Sequence, residues 1–353
     1  MPSSLSEEYH VDPFLVMKIR DKLYKYFEAL AAKGTSRRRA RPVVGGGTCS
    51  PATRQDWPRR IGVVDGGSNL LRLSAGYVGI AAAVGIVFEW PRVARRIAAE
   101  PELLPEDPSE LSRYEDPLIV QRVADRVREA MVFELALKLL EEGLDLLVVD
   151  GPLIPYAVIA GRELPEEEAR ALERYRRAVR ELHSRSRGTR TTVIGFVKRP
   201  RSKFLHKVFG GEEEYDHVIL AGLLGEGEYF PNPPYHLAPE VFGAQVFHDR
   251  EVRELVEALD LKFTFLKTSP QLPPFRVDFG NVSRDYGPIL NFLYATRTRD
   301  GIPFAVAKAD EEVKITRELI RQLYEDALHY SVVKTLPSDP SAIAPLMPEY
   351  GGI

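Results

Sequence analysis

The chain has 353 residues, 44% of them hydrophobic and 28% charged, and a net charge of −3. That composition builds a sizeable core under a well-solvated surface, and it excludes a disordered chain. The near-neutral balance excludes a uniformly basic nucleic-acid binder, so any DNA contact must come from a local patch. The single cysteine, Cys49, excludes a disulfide framework or a structural zinc site and suits a reducing, cytoplasmic setting. The longest apolar stretch, Tyr77 to Phe88, is too short to span a bilayer, and the N-terminus carries no signal-peptide pattern, so no membrane partner is expected. Many Arg and Glu residues beside little Gln suit a thermophile.

In chain order, Pro13 to Lys33 has apolar residues at helical spacing. A basic stretch, Arg37, Arg38, Arg39 and Arg41, and a run of glycines follow and read as a loop. Ile61 to Asp65 reads as a buried strand closed by an Asp-Gly-Gly turn, and Leu70 to Phe88 as two more strands separated near Gly79. Three consecutive strands predict an antiparallel meander. Leu118 to Glu142 is a strong helix with Gly143 in the stop position. Leu144 to Asp150 is an apolar strand, Glu166 to Ser184 a charged helix, and Thr191 to Lys198 another buried strand. Glu212 to Leu224 is partly helical. Val241 to Phe247, Leu261 to Leu266 and Phe275 to Phe279 read as strands, Tyr286 to Thr296 as a helix. Ala309 to Tyr330 reads as a helix with an acidic first turn.

Three strands followed by alternating helices and strands predict an α/β fold, a mixed sheet flanked by helices. This is the order of an RNase H-like core, with an N-terminal helix and C-terminal helical additions. The expected division is 1–59 for the helix and basic loop, 60–330 for the main domain, and 331–353 for a Pro-rich tail.

Two strands end alike, in Val64-Asp65-Gly66 and Val149-Asp150-Gly151. An isolated Asp-Gly is an ordinary turn pair, but two on matched buried strands bring carboxylates together. Converging carboxylates repel unless a cation lies between them. Glu134, set in the apolar run Ala130 to Leu137, is a third candidate, because burying it without a partner is costly. Asp310 is a fourth, with two readings open, a helix-dipole residue or a metal ligand. Three or four carboxylates around Mg²⁺ or Mn²⁺ are what two-metal phosphodiester hydrolysis requires.

At these residues the sequence resembles the NurA nucleases, from about Ile61 to Leu328. The resemblance rests on Val64-Asp65-Gly66-Gly67-Ser68, Glu134, Val149-Asp150-Gly151 and Gly195-Phe196-Val197-Lys198. The last family motif departs: Ile302 stands where the family has Tyr and Asp310 where it has His. The resemblance implies an RNase H-like, metal-dependent DNA nuclease, a 5′–3′ exonuclease with endonuclease action left open. It implies Asp65, Glu134, Asp150 and Asp310 as catalytic and metal-binding residues, and Mn²⁺ or Mg²⁺, two ions, as cofactor. It further implies a homodimer that resects single- and double-stranded DNA ends with a separate HerA-type hexameric helicase-translocase. The lack of a Gly-Lys-Ser/Thr ending after Gly45-Gly46-Gly47-Thr48 agrees with a motor on another chain.

Lys198, Arg199, Arg201, Lys203 and Lys207 form a basic cluster that can neutralise phosphates, with Phe204 placed to stack on a base. Two rival readings stand beside the nuclease. Asp65-Gly66-Gly67-Ser68 resembles the first phosphate loop of actin-like ATPases and kinases. The altered last motif fits a NurA-like scaffold with weakened catalysis that binds the motor.

Overall fold

Arg60–Leu73 and Gly76–Glu89, two strands of 14 residues each, pair antiparallel along their whole length and form the spine of one mixed sheet. The computed structural model describes residues 12–36, 45–50, 57–154, 166–209, 213–237, 254, 258–280, 286–335, 344 and 346–347. In chain order the strands are β1 Gly47–Thr48, β2 Arg60–Leu73, β3 Gly76–Glu89, β4 Arg92–Ala98, β5 Glu102–Leu104, β6 Leu146–Asp150, β7 Thr192–Val197, β8 Glu228–His236, β9 Lys262–Leu266 and β10 Phe275–Gly280. The helices are α1 Pro13–Ser36, α2 Pro117–Leu140, α3 Glu166–Arg187, the short α4 Leu205–Phe209 and α5 Asp216–Ala221, then α6 Gly287–Ala295, α7 Phe304–Val313 and α8 Arg317–Thr335.

The sheet runs β1-β8-β9-β10-β7-β6-β2-β3-β4, with β5 paired to β3. Its heart is the antiparallel meander β2-β3-β4 followed by β6 and β7, which lie parallel to β2. β10 and β9 extend it antiparallel beyond β7. Parallel strands need both faces covered, and both are. On one face Val64, Val149 and Val193 pack with Val127, Met131 and Leu135 of α2 and Tyr175 and Val179 of α3. On the other, Val63, Val148 and Phe196 pack with Leu290 of α6 and Val306 and Ala309 of α7. The alternation along each strand thus sorts its side chains into two cores.

Local chemistry sets the ends of α2. The Asp116 side chain accepts from Leu118 N at 2.8 Å, Pro117 opens the helix, and Gly143 adopts φ +66° just beyond it.

Several boundaries differ from the sequence expectation. β2 does not turn after Asp65 but continues to Leu73, and the hairpin turn falls at Ser74 and Ala75. Gly66 and Gly67 serve close packing instead. A Cβ on Gly66 would lie 2.6 Å from Arg128 Cγ and from Val132 Cγ2, and one on Gly67 2.4 Å from the Val313 carbonyl oxygen. Gly79 lies inside β3, opposite Leu70. The expected helix from Ala309 is two helices broken at Lys314 to Thr316, and the first begins at Phe304. β8 escapes a strand reading because Pro231, Pro233 and Pro234 interrupt it, and its register with β9 shifts there. The run Val241 to Phe247 and the basic residues Arg37, Arg38, Arg39 and Arg41 lie outside the described residues.

Apolar residues of α1, among them Met17, Ile19, Leu23 and Phe27, are exposed. The described tail residues dock on the body: Ser74 N donates to Met347 O and Tyr324 Oη to Leu346 O. No described helix is long and apolar enough to cross a membrane.

Candidate functional site

Val64 of β2 pairs in parallel register with Val149 of β6. The next residue on each strand is an aspartate, so Asp65 and Asp150 stand level on neighbouring strands and share the face of Val63 and Val148. Gly151 follows with φ +135°, a conformation that favours glycine and turns the chain away behind Asp150. That turn folds over β7 at Gly195, where a Cβ would come within 2.6 Å of Gly151 O. From beneath, the buried Asp278 carboxylate accepts a hydrogen bond from Leu153 N at 3.3 Å and is itself clamped by Arg276 at 2.7 and 2.9 Å.

α7 crosses this edge of the sheet and supplies Asp310. Asp65, Asp150 and Asp310 each offer one carboxylate oxygen, all within 4.8 Å of one another. Lys198, just past the end of β7, reaches into the group: its Nζ lies 2.6 Å from Asp150 Oδ2 and donates to Asp310 Oδ1 at 2.6 Å. Asp310 belongs to the body of α7 rather than to a first turn, so its acidity does not serve the helix N-terminus.

Burial raises the pKa of Asp65, opposed by the Lys198 charge and by the Gly66 N–H, which donates to Asp65 Oδ1 at 2.7 Å. Burial, and then the charge of Asp65, hold Asp150 well above the ordinary carboxylate value. Burial works against the charge of Lys198, but Asp150, Asp310 and Asp65 outweigh it and raise its pKa. Two buried carboxylates that resist ionisation, gathered about one ammonium, form a cluster of hard oxygen donors starved of positive charge. That is the donor set a small divalent cation takes.

The carboxylates open into a cavity of about 290 Å³. Its far wall comes from α2 and α3: Arg128, Glu129, Val132 and Phe133 on one, Tyr175 on the other. Glu129 is held by Arg126, Nη1 to Oε2 at 2.6 Å. Arg128 is only loosely paired, 3.9 Å from Asp125 and 3.7 Å from Glu129.

Not every expected residue reaches this site. Glu134 is not in the cavity: Arg174 of α3 grips it in a fork at 3.1 and 2.9 Å and also binds Glu102. Five residues along a helix rotate the side chain by about 140°, so Glu134 and Glu129 cannot face the same way. The apolar neighbours that drew attention to Glu134 pack on either side of it, while its own carboxylate stays about a third exposed. Phe204 does not present its ring for stacking on a base. It packs against Tyr235 and Phe263, with centroids 6.2 and 5.7 Å away. Arg199, Arg201 and Lys203 are exposed beside Lys198, with Lys203 paired to Glu213 at 3.2 Å.

The sequence reading missed Arg128, Glu129, Tyr175 and Asp278. Arg126-Val127-Arg128-Glu129 looks like a solvated helix face, and only the packing of α2 over Gly66 turns it inward. The one available signal for Asp278 was its alternation with Arg276 in an otherwise apolar strand. The phosphate-loop reading of Asp65 to Ser68 does not hold, because these residues lie within β2 and the space beside both glycines is filled.

The comparisons with known proteins agree with this architecture. A crystal structure of the NurA nuclease from Sulfolobus solfataricus superposes with a TM-score of 0.62 at 14% identity, covering 92% of this chain and 99% of that one. A NurA crystal structure with manganese gives 0.52 at 10% identity, covering 86% and 97%, and another of NurA gives 0.51 at 10%, covering 92% and 99%. No curated protein matches the chain. The fold is the RNase H-like mixed sheet flanked by helices that the order of elements implied. The family model for the NurA domain matches residues 59–315, most of the chain, and the chain belongs to the NurA family.

Proposed function

We propose that this chain is a metal-dependent DNA nuclease that hydrolyses phosphodiester bonds at the cavity beside β2 and β6. The observation that carries the reading is the convergence of Asp65 of β2, Asp150 of β6 and Asp310 of α7 within 4.8 Å. These three would hold divalent cations, Mn²⁺ or Mg²⁺, two in number, and Glu129 takes the place expected of Glu134 as the helix-borne carboxylate. A structure of NurA with manganese, a relative in fold, supports the choice of metal. Bound divalent ions supply Lewis-acid chemistry at the attacking water and at the leaving oxygen.

The chain's own residues do the rest. With the aspartates holding cations, the Lys198 ammonium would be free of them and, with the loosely paired Arg128, would bind a phosphate in the cavity. Val132, Phe133 and Pro152 line the same cavity, and their apolar surface lowers the local polarity and strengthens these charge interactions. Arg199, Arg201 and Lys203 continue the basic track away from the reacting bond.

The wider role we propose rests on the resemblance to the family: a homodimer that works on single- and double-stranded DNA ends with a HerA-type hexameric ATPase, as a 5′–3′ exonuclease in end resection, with endonuclease action left open. The exposed apolar residues of α1 support an assembly partner for this chain. The substitution of Asp310 for a family His replaces a nitrogen donor by a carboxylate oxygen and so keeps a metal-binding group at the site, which favours an active nuclease over a scaffold.

The test is digestion of end-labelled single- and double-stranded DNA by the purified chain, with Mn²⁺, Mg²⁺ or EDTA, beside Asp150→Ala. Cleavage that requires metal and vanishes in the variant is expected. No metal-dependent cleavage, or equal cleavage by both proteins, removes the reading.

A further inference from the structure

Tyr175 stands on α3 at 2% exposure and lines the carboxylate cavity. Its ring is fixed edge-on against Phe133, with centroids 4.9 Å apart and planes at 72°. Its hydroxyl is buried and has no hydrogen-bond partner. A buried hydroxyl without a partner destabilises a protein, so one that persists in a cavity wall calls for a use.

The surroundings narrow that use. Burial keeps the phenol protonated, and the charges that act on it are Glu129, Arg126 and Asp278 in that order. The protonated hydroxyl is a donor, and Glu129 lines the same cavity as Tyr175. Glu129 has one oxygen on Arg126 at 2.6 Å and the other only 3.7 Å from Arg128. A substrate phosphate does not reach a hydroxyl closed off from solvent, whereas a side chain of the same wall does.

The geometry points to Tyr175 as a positioning residue whose hydroxyl donates to the Glu129 carboxylate when it turns from Arg126 towards Asp65 and Asp150 to share a divalent cation. The inference rests on the reading of Glu129 as a metal-holding carboxylate. A partner that orients a ligand in this way typically affects metal affinity or turnover by about 10- to 100-fold.

The experiment is a Mn²⁺ titration by calorimetry on the full chain, comparing the wild type with Tyr175→Phe, Glu129→Gln and the double variant. Metal-free melting temperatures and kcat and KM on end-labelled DNA are measured for each. Tyr175→Phe keeps the ring contact with Phe133, so its metal-free melting temperature is expected to match or exceed that of the wild type. Its Mn²⁺ affinity is expected to fall about tenfold or more, with kcat falling and KM for DNA nearly constant. The double variant is expected to bind no more weakly than Glu129→Gln, since the hydroxyl acts through that carboxylate. Wild-type affinity in Tyr175→Phe beside a weakened Glu129→Gln overturns the role of Tyr175 and leaves that of Glu129. Wild-type affinity in Glu129→Gln overturns both. Additive losses in the double variant, or a lower metal-free melting temperature in Tyr175→Phe, assign the hydroxyl elsewhere and also overturn the proposal.

Discussion

Lys198 Nζ lies 2.6 Å from Asp150 Oδ2, in the space that three carboxylates enclose and that a cation would share. The ammonium thus competes with metal for the same oxygens. Lys198→Ala is expected to destabilise the metal-free protein by about 2 kcal/mol, less than a fully buried pair loses, because the lysine side chain keeps 24% of its exposure. The rise in melting temperature on adding Mn²⁺ is expected to be larger in the variant than in the wild type. Thermal melts in EDTA and in Mn²⁺ check this, and a smaller rise in the variant defeats the competition.

The three aspartates are not equivalent. Asp65, within β2, and Asp150, at the end of β6, are buried, whereas the Asp310 side chain is 55% exposed. Asp65→Asn or Asp150→Asn is expected to lower cleavage on the order of 10³-fold or more. Asp310→Ala is expected to lower it by a smaller factor with an almost unchanged melting temperature, because an exposed carboxylate on a helix contributes little to stability. Rate assays and melts on the same preparations decide it. A large fall in melting temperature for Asp310→Ala would show that the residue serves the fold.

Glu129 and Glu134 offer a direct contrast on one helix. Glu129 lines the cavity, and Glu134 is tied to Arg174 on the far side of α2. Glu129→Gln is expected to reduce nuclease activity at least about 10²-fold, while Glu134→Gln leaves it within about twofold. The partly exposed Glu134 pair is worth at most about 1 kcal/mol, so the second variant stays folded. Equal losses in the two variants would return Glu134 to the site.

What the sequence made legible follows physical range. Asp65 and Asp150 could be matched in advance because an apolar run closed by Asp-Gly is a local signal that occurs twice; that the two strands are parallel neighbours is shown by the register of β2 with β6. The helix from Leu118 was equally legible from periodicity, whereas the meander was expected with the wrong strands: residues 61–88 form two long strands, and its third, β4, is a mostly exposed, Arg-rich segment that gave no apolar signal. Glu129 was not, because which face of α2 turns inward depends on Gly66 admitting Arg128 and Val132, a contact between residues more than sixty positions apart. Asp310 was placed in a first turn because its acidic neighbours resemble one. The true start at Phe304 follows Pro303, with no side-chain cap to announce it. Phe204 looked available only because an aromatic in a basic run gives no hint of the Tyr235 and Phe263 that receive it.

Gly67 links the strand to the helix that carries Asp310. A Cβ there would lie 2.4 Å from the backbone oxygen of Val313, the last residue of α7. Backbone yields less readily than a side-chain tip, so Gly67→Ala is expected to cost about 1–3 kcal/mol and to push the end of α7 outward. Activity should fall by more than the lost stability explains, because Asp310 moves with the helix. The check is kcat measured well below the variant's melting temperature; full activity there would show that α7 tolerates the methyl group.

His183 sets a limit on acid stability. It is 1% exposed on α3, and neither ring nitrogen has a hydrogen-bond partner. Its ring lies close against Gly280, where a Cβ would meet Cε1 at 2.6 Å. Burial, assisted by the Arg187 charge, lowers its pKa from 6.5 to about 4. In the unfolded chain the imidazole takes up its proton first as pH falls, so its contribution to stability is complete above pH 6.5 and is lost towards pH 4. The full loss is on the order of 3 kcal/mol. His183→Leu removes the titration, so the difference in unfolding free energy between wild type and variant should change by that amount from pH 8 to 4. Urea unfolding at several pH values measures it, and a difference that stays constant across the range means the ring does not titrate as a buried neutral group.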